Sequence, residues 1–77
     1  MKKYEIEEAR KKVLISEKTK GVVITRMANQ KDMAKILKIT TSAWNLKENY
    51  KRALTANELL ILSEKAGLEP RQIILTR

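Results

Sequence analysis

The 77-residue chain contains no cysteine and no histidine. It therefore has neither disulfides nor a Cys/His metal centre to hold it together, and an enzyme built on a thiol or an imidazole is excluded. Two glycines and one proline leave no material for a flexible linker, a low-complexity tract or a glycine-rich phosphate loop. Aromatic residues are limited to Tyr4, Trp44 and Tyr50, too few for a platform that stacks single-stranded bases. No apolar run approaches the roughly 20 residues needed to cross a bilayer. The opening MKKYEIEEAR carries charge where a signal peptide has its apolar segment, so a cytoplasmic protein is expected. Acids are also scarce, nine against 17 bases, a net charge of +8.

That imbalance concerns partners rather than fold: nucleic acid, anionic lipid or an acidic protein. Residues 1–20 carry seven bases and four acids, residues 21–52 seven and two, and residues 53–77 three of each. The excess is concentrated on the first two-thirds of the chain and greatest in its middle. A chain of this length forms one domain and buries only about 60% of its unfolded surface, so stability must come from close packing or from a second subunit.

Helix-forming residues dominate, and the pattern predicts an all-α fold, a compact bundle of four to five helices. Tyr4 to about Ile15 reads as a helix with Ile6, Ala9 and Val13 inward, supported by the Glu7–Lys11 and Glu8–Lys12 spacings. A second helix is expected from about Thr19 to Met27, with Val23 and Met27 on one face. The rival reading makes strands of VLIS (13–16) and VVIT (22–25), whose β-branched residues suit a sheet. Helices are favoured because an isolated two-stranded ribbon is marginal and no third strand is evident.

The following segments carry clearer punctuation. Asn29 is placed to cap a helix over Gln30–Leu37, with Asp32 near its positive end and Met33, Ala34 and Leu37 inward. Thr40 caps a further helix from Thr41 to about Glu48, whose inward residue is Trp44. Thr55 and Glu58 have capping-box spacing ahead of an apolar helix bearing Leu59, Leu60, Leu62 and Ala66, closed by Gly67. Pro70 can open a last turn. The apolar Ile73–Leu75 tail is left three options: covering the core, packing on a second copy or extending as a strand.

Gln30, Ala34, Ile39 and Trp44 have the spacing of a helix, a tight turn and a crossing helix. The small Ala34 permits close approach, while Ile39 and Trp44 pin the second helix. Its N-terminal half then carries Thr41, Ser42, Asn45 and Leu46 on the outer side. In this light TKGVVITRMANQKDMAKILKITTSAWN, followed by LKENYKR and LTANELLILSEKAGL, resembles the DNA-binding domain of Cro/CI-type phage repressors. The likeness is nearest to small Cro-like prophage proteins of Gram-positive bacteria. It covers residues 19–68, with 1–16 as a helical N-terminal extension and 69–77 as a tail.

The resemblance implies a lambda-repressor-like helix-turn-helix fold and sequence-specific binding of double-stranded DNA by a homodimer, acting as a transcriptional repressor in the bacterial cytoplasm. Base contacts would fall to Thr41, Ser42, Asn45 and Leu46: hydroxyls to base edges, Asn45 to adenine, Leu46 to a thymine methyl. Phosphate contacts would fall to Gln30, Lys31, Lys38, Lys47, Asn49, Lys51 and Arg52. No cofactor, metal or small-molecule ligand is implied. Dimerisation is expected through the N-terminal helix or the IILTR tail.

Three positions depart from the family. Lys38 and Tyr50 replace common glycines, and Trp44 is bulkier than the usual aliphatic residue. Lys38 must then hold a left-handed backbone at a cost of roughly 1–2 kcal/mol, while adding charge to a DNA-facing turn; Tyr50 would add a hydroxyl. The lost glycines and the N-terminal extension also suit a second function, a protein-binding regulator on the same scaffold, such as an antirepressor or a host-protein inhibitor. A membrane-surface peptide is disfavoured because the bases do not line one long amphipathic helix. An enzyme is not expected: Asp32 and Glu48, the acids of the central region, suit helix ends or surface ion pairs better than catalysis.

Overall fold

Where capping signals stand in the sequence, helices form. A computed structural model describes residues 2–77. Helix α2 (Gln30–Leu37) begins at Asn29, whose side chain accepts the Asp32 N–H at 2.9 Å, while the Asp32 carboxylate accepts the Asn29 N–H at 2.8 Å. Each side chain satisfies an N–H that the helix start leaves without a partner. Helix α3 (Thr41–Glu48) starts on the Thr40 hydroxyl, which accepts the Ala43 N–H at 3.1 Å. Thr55 and Glu58 make the same reciprocal cap for α4 (Ala56–Ala66). Gly67, at φ 70°, terminates α4 in the left-handed region open to a residue without Cβ.

The N-terminal third departs from the all-α expectation, and the described residues form a mixed α/β fold. A two-residue strand, β1 (Tyr4–Glu5), leads into α1 (Ile6–Lys11), which stops four residues short of the expected end. The chain then runs through β2 (Leu14–Thr19) and returns along β3 (Val22–Met27), an antiparallel hairpin in place of the expected helix over 19–27. Its loop is Lys20–Gly21, with φ of 52° and 80°. Two successive positive φ values define the turn whose twist matches that of paired strands, and Gly21 supplies one of them without cost.

The objection that a lone ribbon is marginal fails because this one is tethered at its base. The Ala28 N–H donates to the Val13 carbonyl at 2.8 Å, continuing the ladder into the core. Arg26 joins Glu17 on β2 at 2.7 Å and Asp32 on α2 at 2.6 Å. Val23 and Met27, expected inward on a helix, are 65% and 60% exposed on the hairpin.

Ile6, Ala9, Val13, Ala28, Met33, Ala34, Trp44, Leu62 and Ile73 make the core. Leu37 and Leu59 are half-buried against it, whereas Leu60, expected on its wall, is exposed. A short 3₁₀ turn (Pro70–Gln72) delivers β4 (Ile73–Ile74), which pairs in parallel with β1, Tyr4 opposite Ile73 and Glu5 opposite Ile74. The tail thus closes the core with buried Ile73 and adds a strand. Helix α1 packs on α3, α4 and β4, so the two surfaces expected to hold a second copy are largely used within one chain. Among the described residues no helix is long and apolar enough to cross a membrane.

Candidate nucleic-acid interface

The α2–turn–α3 unit is set by its turn. Lys38 adopts φ 59° and ψ 42°, the left-handed conformation that the missing glycine demands, and the Ile39 N–H then donates to the Ala34 carbonyl at 2.9 Å. This bond redirects the chain so that Thr40 can cap α3. Ile39 is half-buried against the core, and Trp44 is fully buried. The Gln30, Ala34, Ile39 and Trp44 spacing therefore joins two crossing helices.

Turns of 100° per residue place Trp44, Lys47 and Glu48 together on the buried face of α3. Thr41, Ser42 and Asn45 are exposed and Leu46 half-exposed, so the four candidate base-contacting residues lie away from that buried centre. Lys31 on the first turn of α2, Lys38 in the turn, and Lys51 and Arg52 beyond α3 are exposed as well. None of these four bases belongs to an ion pair between described residues.

The remaining candidates are engaged elsewhere. Lys47 is only 6% exposed; its ammonium donates to Glu58 at 2.6 Å and to the Ala53 carbonyl at 3.2 Å, so it is a structural ion and leaves the phosphate set. Burial works to raise the pKa of Glu58, but hydrogen bonds from Lys47 and from the Thr55 N–H outweigh it and hold the group below its ordinary value. The Asn49 amide donates to the Asn45 carbonyl at 2.8 Å and closes the helix end rather than facing outward freely. Tyr50 also takes a left-handed backbone (φ 61°), and its hydroxyl accepts the Ile6 N–H at 3.1 Å. That hydroxyl ties the end of α3 to the start of α1 and is not part of a DNA-facing surface.

Gln30 faces α3. Its amide donates to the Glu48 carboxylate and its carbonyl accepts the Asn45 amide at 3.4 Å, a long and replaceable contact. These contacts join α2 to α3; the phosphate contact expected of Gln30 would require it to release Glu48. Glu48 itself, expected at the surface, is a buried junction that accepts hydrogen bonds from Arg10 on α1, Gln30 on α2 and Trp44 within α3. Arg10 also donates to the Ala28 carbonyl at 2.6 Å. Through Glu48, α3 is tied to α1 by Arg10 and to α2 by Gln30, a role the sequence reading did not assign to Arg10 or Glu48. The available signal was position: Glu48 follows Trp44 by four residues and so must share its inward face.

Asp32 stabilises the base of the unit. The guanidinium of Arg26, and then the Asn29 N–H, hold its carboxyl down at about 2.

Compared with protein-family models, with curated proteins and with solved structures, the chain shows no match to any of them.

Proposed function

We propose that the protein binds double-stranded DNA sequence-selectively through α3, as a Cro-like transcriptional regulator. One observation carries this reading. The helix after the left-handed turn is braced on its inner face by Trp44 and Glu48, while its exposed N-terminal half offers Thr41, Ser42 and Asn45 between Lys31, Lys38, Lys51 and Arg52, bases in no ion pair among the described residues. A short helix held rigidly with small polar side chains outward suits the major groove, where hydroxyls and an amide can read base edges. The flanking bases would bind phosphates and fix the register.

Selection from a random double-stranded pool should return a defined sequence, and anisotropy titrations on it should weaken steeply with salt. Asn45→Ala should lose about 1–3 kcal/mol of binding and relax preference at one base position. Replacing Lys51 and Arg52 by alanine should weaken binding to all sequences and lower the logarithmic salt slope by about one for each charge. A pool that yields no enriched sequence and binding indifferent to those three substitutions would reject this function. The competing protein-binding regulator is favoured by one feature, an apolar hairpin exposed on both faces. A stoichiometric partner retained after nuclease treatment would support it instead.

A further inference from the structure

The β2–β3 hairpin holds five of the large apolar side chains exposed among the described residues: Leu14, Val22, Val23, Ile24 and Met27, each 51% to 65% exposed. Its sheet has two strands, so both outer edges present peptide groups without a strand partner. The edges differ in chemistry. Glu17 and Lys18 lie side by side on β2, the kind of charge that protects an edge from pairing, whereas β3 carries one charge, Arg26, which is drawn to Glu17 and Asp32.

We infer that β3 is the edge through which two copies of this chain pair, antiparallel about a two-fold axis at Thr25, to make one four-stranded sheet. A two-residue loop makes Thr19–Val22 a hydrogen-bonded pair, and the alternation continues through Glu17–Ile24 and Ile15–Arg26 to Val13–Ala28, where the Ala28 N–H is seen donating to Val13. The peptide groups of Val23, Thr25 and Met27 consequently point out of the ribbon. Pairing about Thr25 sets Thr25 against its own copy and Val23 against Met27 of the other chain, so all three outward residues exchange hydrogen bonds. It also places Ile24 opposite Arg26 and never sets one charge against its like.

The equivalent pairing of β2 about Ser16 would set Leu14 against Lys18 and Ile15 against Glu17, so both kinds of opposed pair would be apolar against charged, whereas through β3 only Ile24 with Arg26 is. Pairing through β3 also brings Leu14, Met27 and the other copy's Val23 into one apolar row on a common face. It gives the ribbon the additional strands that a lone hairpin lacks. This inference is independent of the DNA reading, because its test contains no DNA.

Because the chain has no cysteine, single thiols can map the pairing. Directly opposed, hydrogen-bonded residues lie about 5.5 Å apart at Cα, within disulfide reach. Under mild oxidation Thr25→Cys should form a covalent dimer at least about tenfold faster than Ile24→Cys, which would face Arg26, or Ser16→Cys on the opposite edge. Sedimentation equilibrium of the unmodified chain should show a dimer, and Thr25→Pro should weaken it at least about tenfold. Proline there removes only an outward N–H and spares the β2–β3 ladder. Should Thr25→Pro fail to fold, a charge exchange provides the second test. Val23→Glu and Met27→Lys should each weaken association, and the double variant should restore it, because these positions face one another between copies. A monomer up to about 100 µM, equal cross-linking at the three positions, fastest cross-linking at Ser16→Cys, or singles no weaker than the unmodified chain would overturn the inference.

Discussion

Replacing Lys38 by glycine separates two roles that this residue combines. Its backbone sits at φ 59°, where a Cβ crowds the following carbonyl, at a cost of roughly 1–2 kcal/mol. Its side chain is exposed and in no ion pair between described residues, so removing it costs no native packing. Glycine relieves the crowding but adds freedom to the unfolded chain, which returns about 0.4–1 kcal/mol. The net expectation is a gain of about 0.5–1 kcal/mol, which in a domain of this size raises Tm by about 2–8 °C. DNA binding should move the opposite way, weaker and with a logarithmic salt slope smaller by about 0.9, since one phosphate contact is lost.

Lys38→Ala provides the necessary comparison. Alanine keeps the backbone penalty and loses the charge, so Tm should stay near that of the unmodified protein while DNA binding falls as it does for glycine. Thermal unfolding followed by circular dichroism, with anisotropy at several salt concentrations, reads both effects. A Tm for Lys38→Gly at or below that of Lys38→Ala would refute the account of the turn. Unchanged binding and salt slope in both variants would remove Lys38 from the interface.

The buried Lys47–Glu58 pair makes a different prediction: Lys47→Met alone strands a carboxylate beneath α3 and should cost about 3–5 kcal/mol, whereas Lys47→Met with Glu58→Gln, which removes the charge but keeps an oxygen for the Thr55 N–H, should recover much of that loss in chemical denaturation. If the double variant is no more stable than the single, burial of the pair is not what the single change disturbs. For Asp32, a folded-state pKa depressed from 3.8 to about 2 means that its stabilising contribution is fully present above about pH 4 and disappears as pH falls through 2. The Tm difference between the unmodified protein and Asp32→Asn should therefore be largest near neutral pH and shrink between pH 4 and 2; a constant difference would show that the charge contributes nothing.

The helices that carry the candidate site were readable because their signals are local. Asn29–Asp32, Thr40 and Thr55–Glu58 each satisfy helix-start N–H groups within three residues, so sequence spacing alone specifies the contact. The left-handed turn at Lys38 was readable only through the resemblance, which places a glycine at that position. The hairpin was not, because what tethers it is remote: Ala28 to Val13, and Arg26 to Asp32 across six residues. Its exposed Val and Ile residues give no one-sided pattern, and Lys20 hides the turn that Asn or Asp before glycine would advertise. Lys47 misled for another reason. A lysine is almost never fully buried unless paired, and its partner Glu58 lies on a different helix, so charge type pointed outward while helical phase pointed inward.

The same remote contacts connect the two proposals physically. Arg26 is on β3, and its guanidinium holds Asp32, which caps the first turn of α2; Gln30 in that turn holds Glu48 on α3. The direction of the hairpin and the direction of α3 are thus linked through one ion pair, a capped helix start and the Gln30–Glu48 hydrogen bond. Two α3 helices read successive turns of DNA only when the dimer sets them about 34 Å apart or a multiple of it. If copies join through β3, the Arg26–Asp32 contact becomes part of what sets that spacing. Arg26→Ala should then reduce affinity for a paired site more than for an isolated half-site, although Arg26 need touch no DNA. Equal losses on both sites would mean that the hairpin and the reading helix act independently.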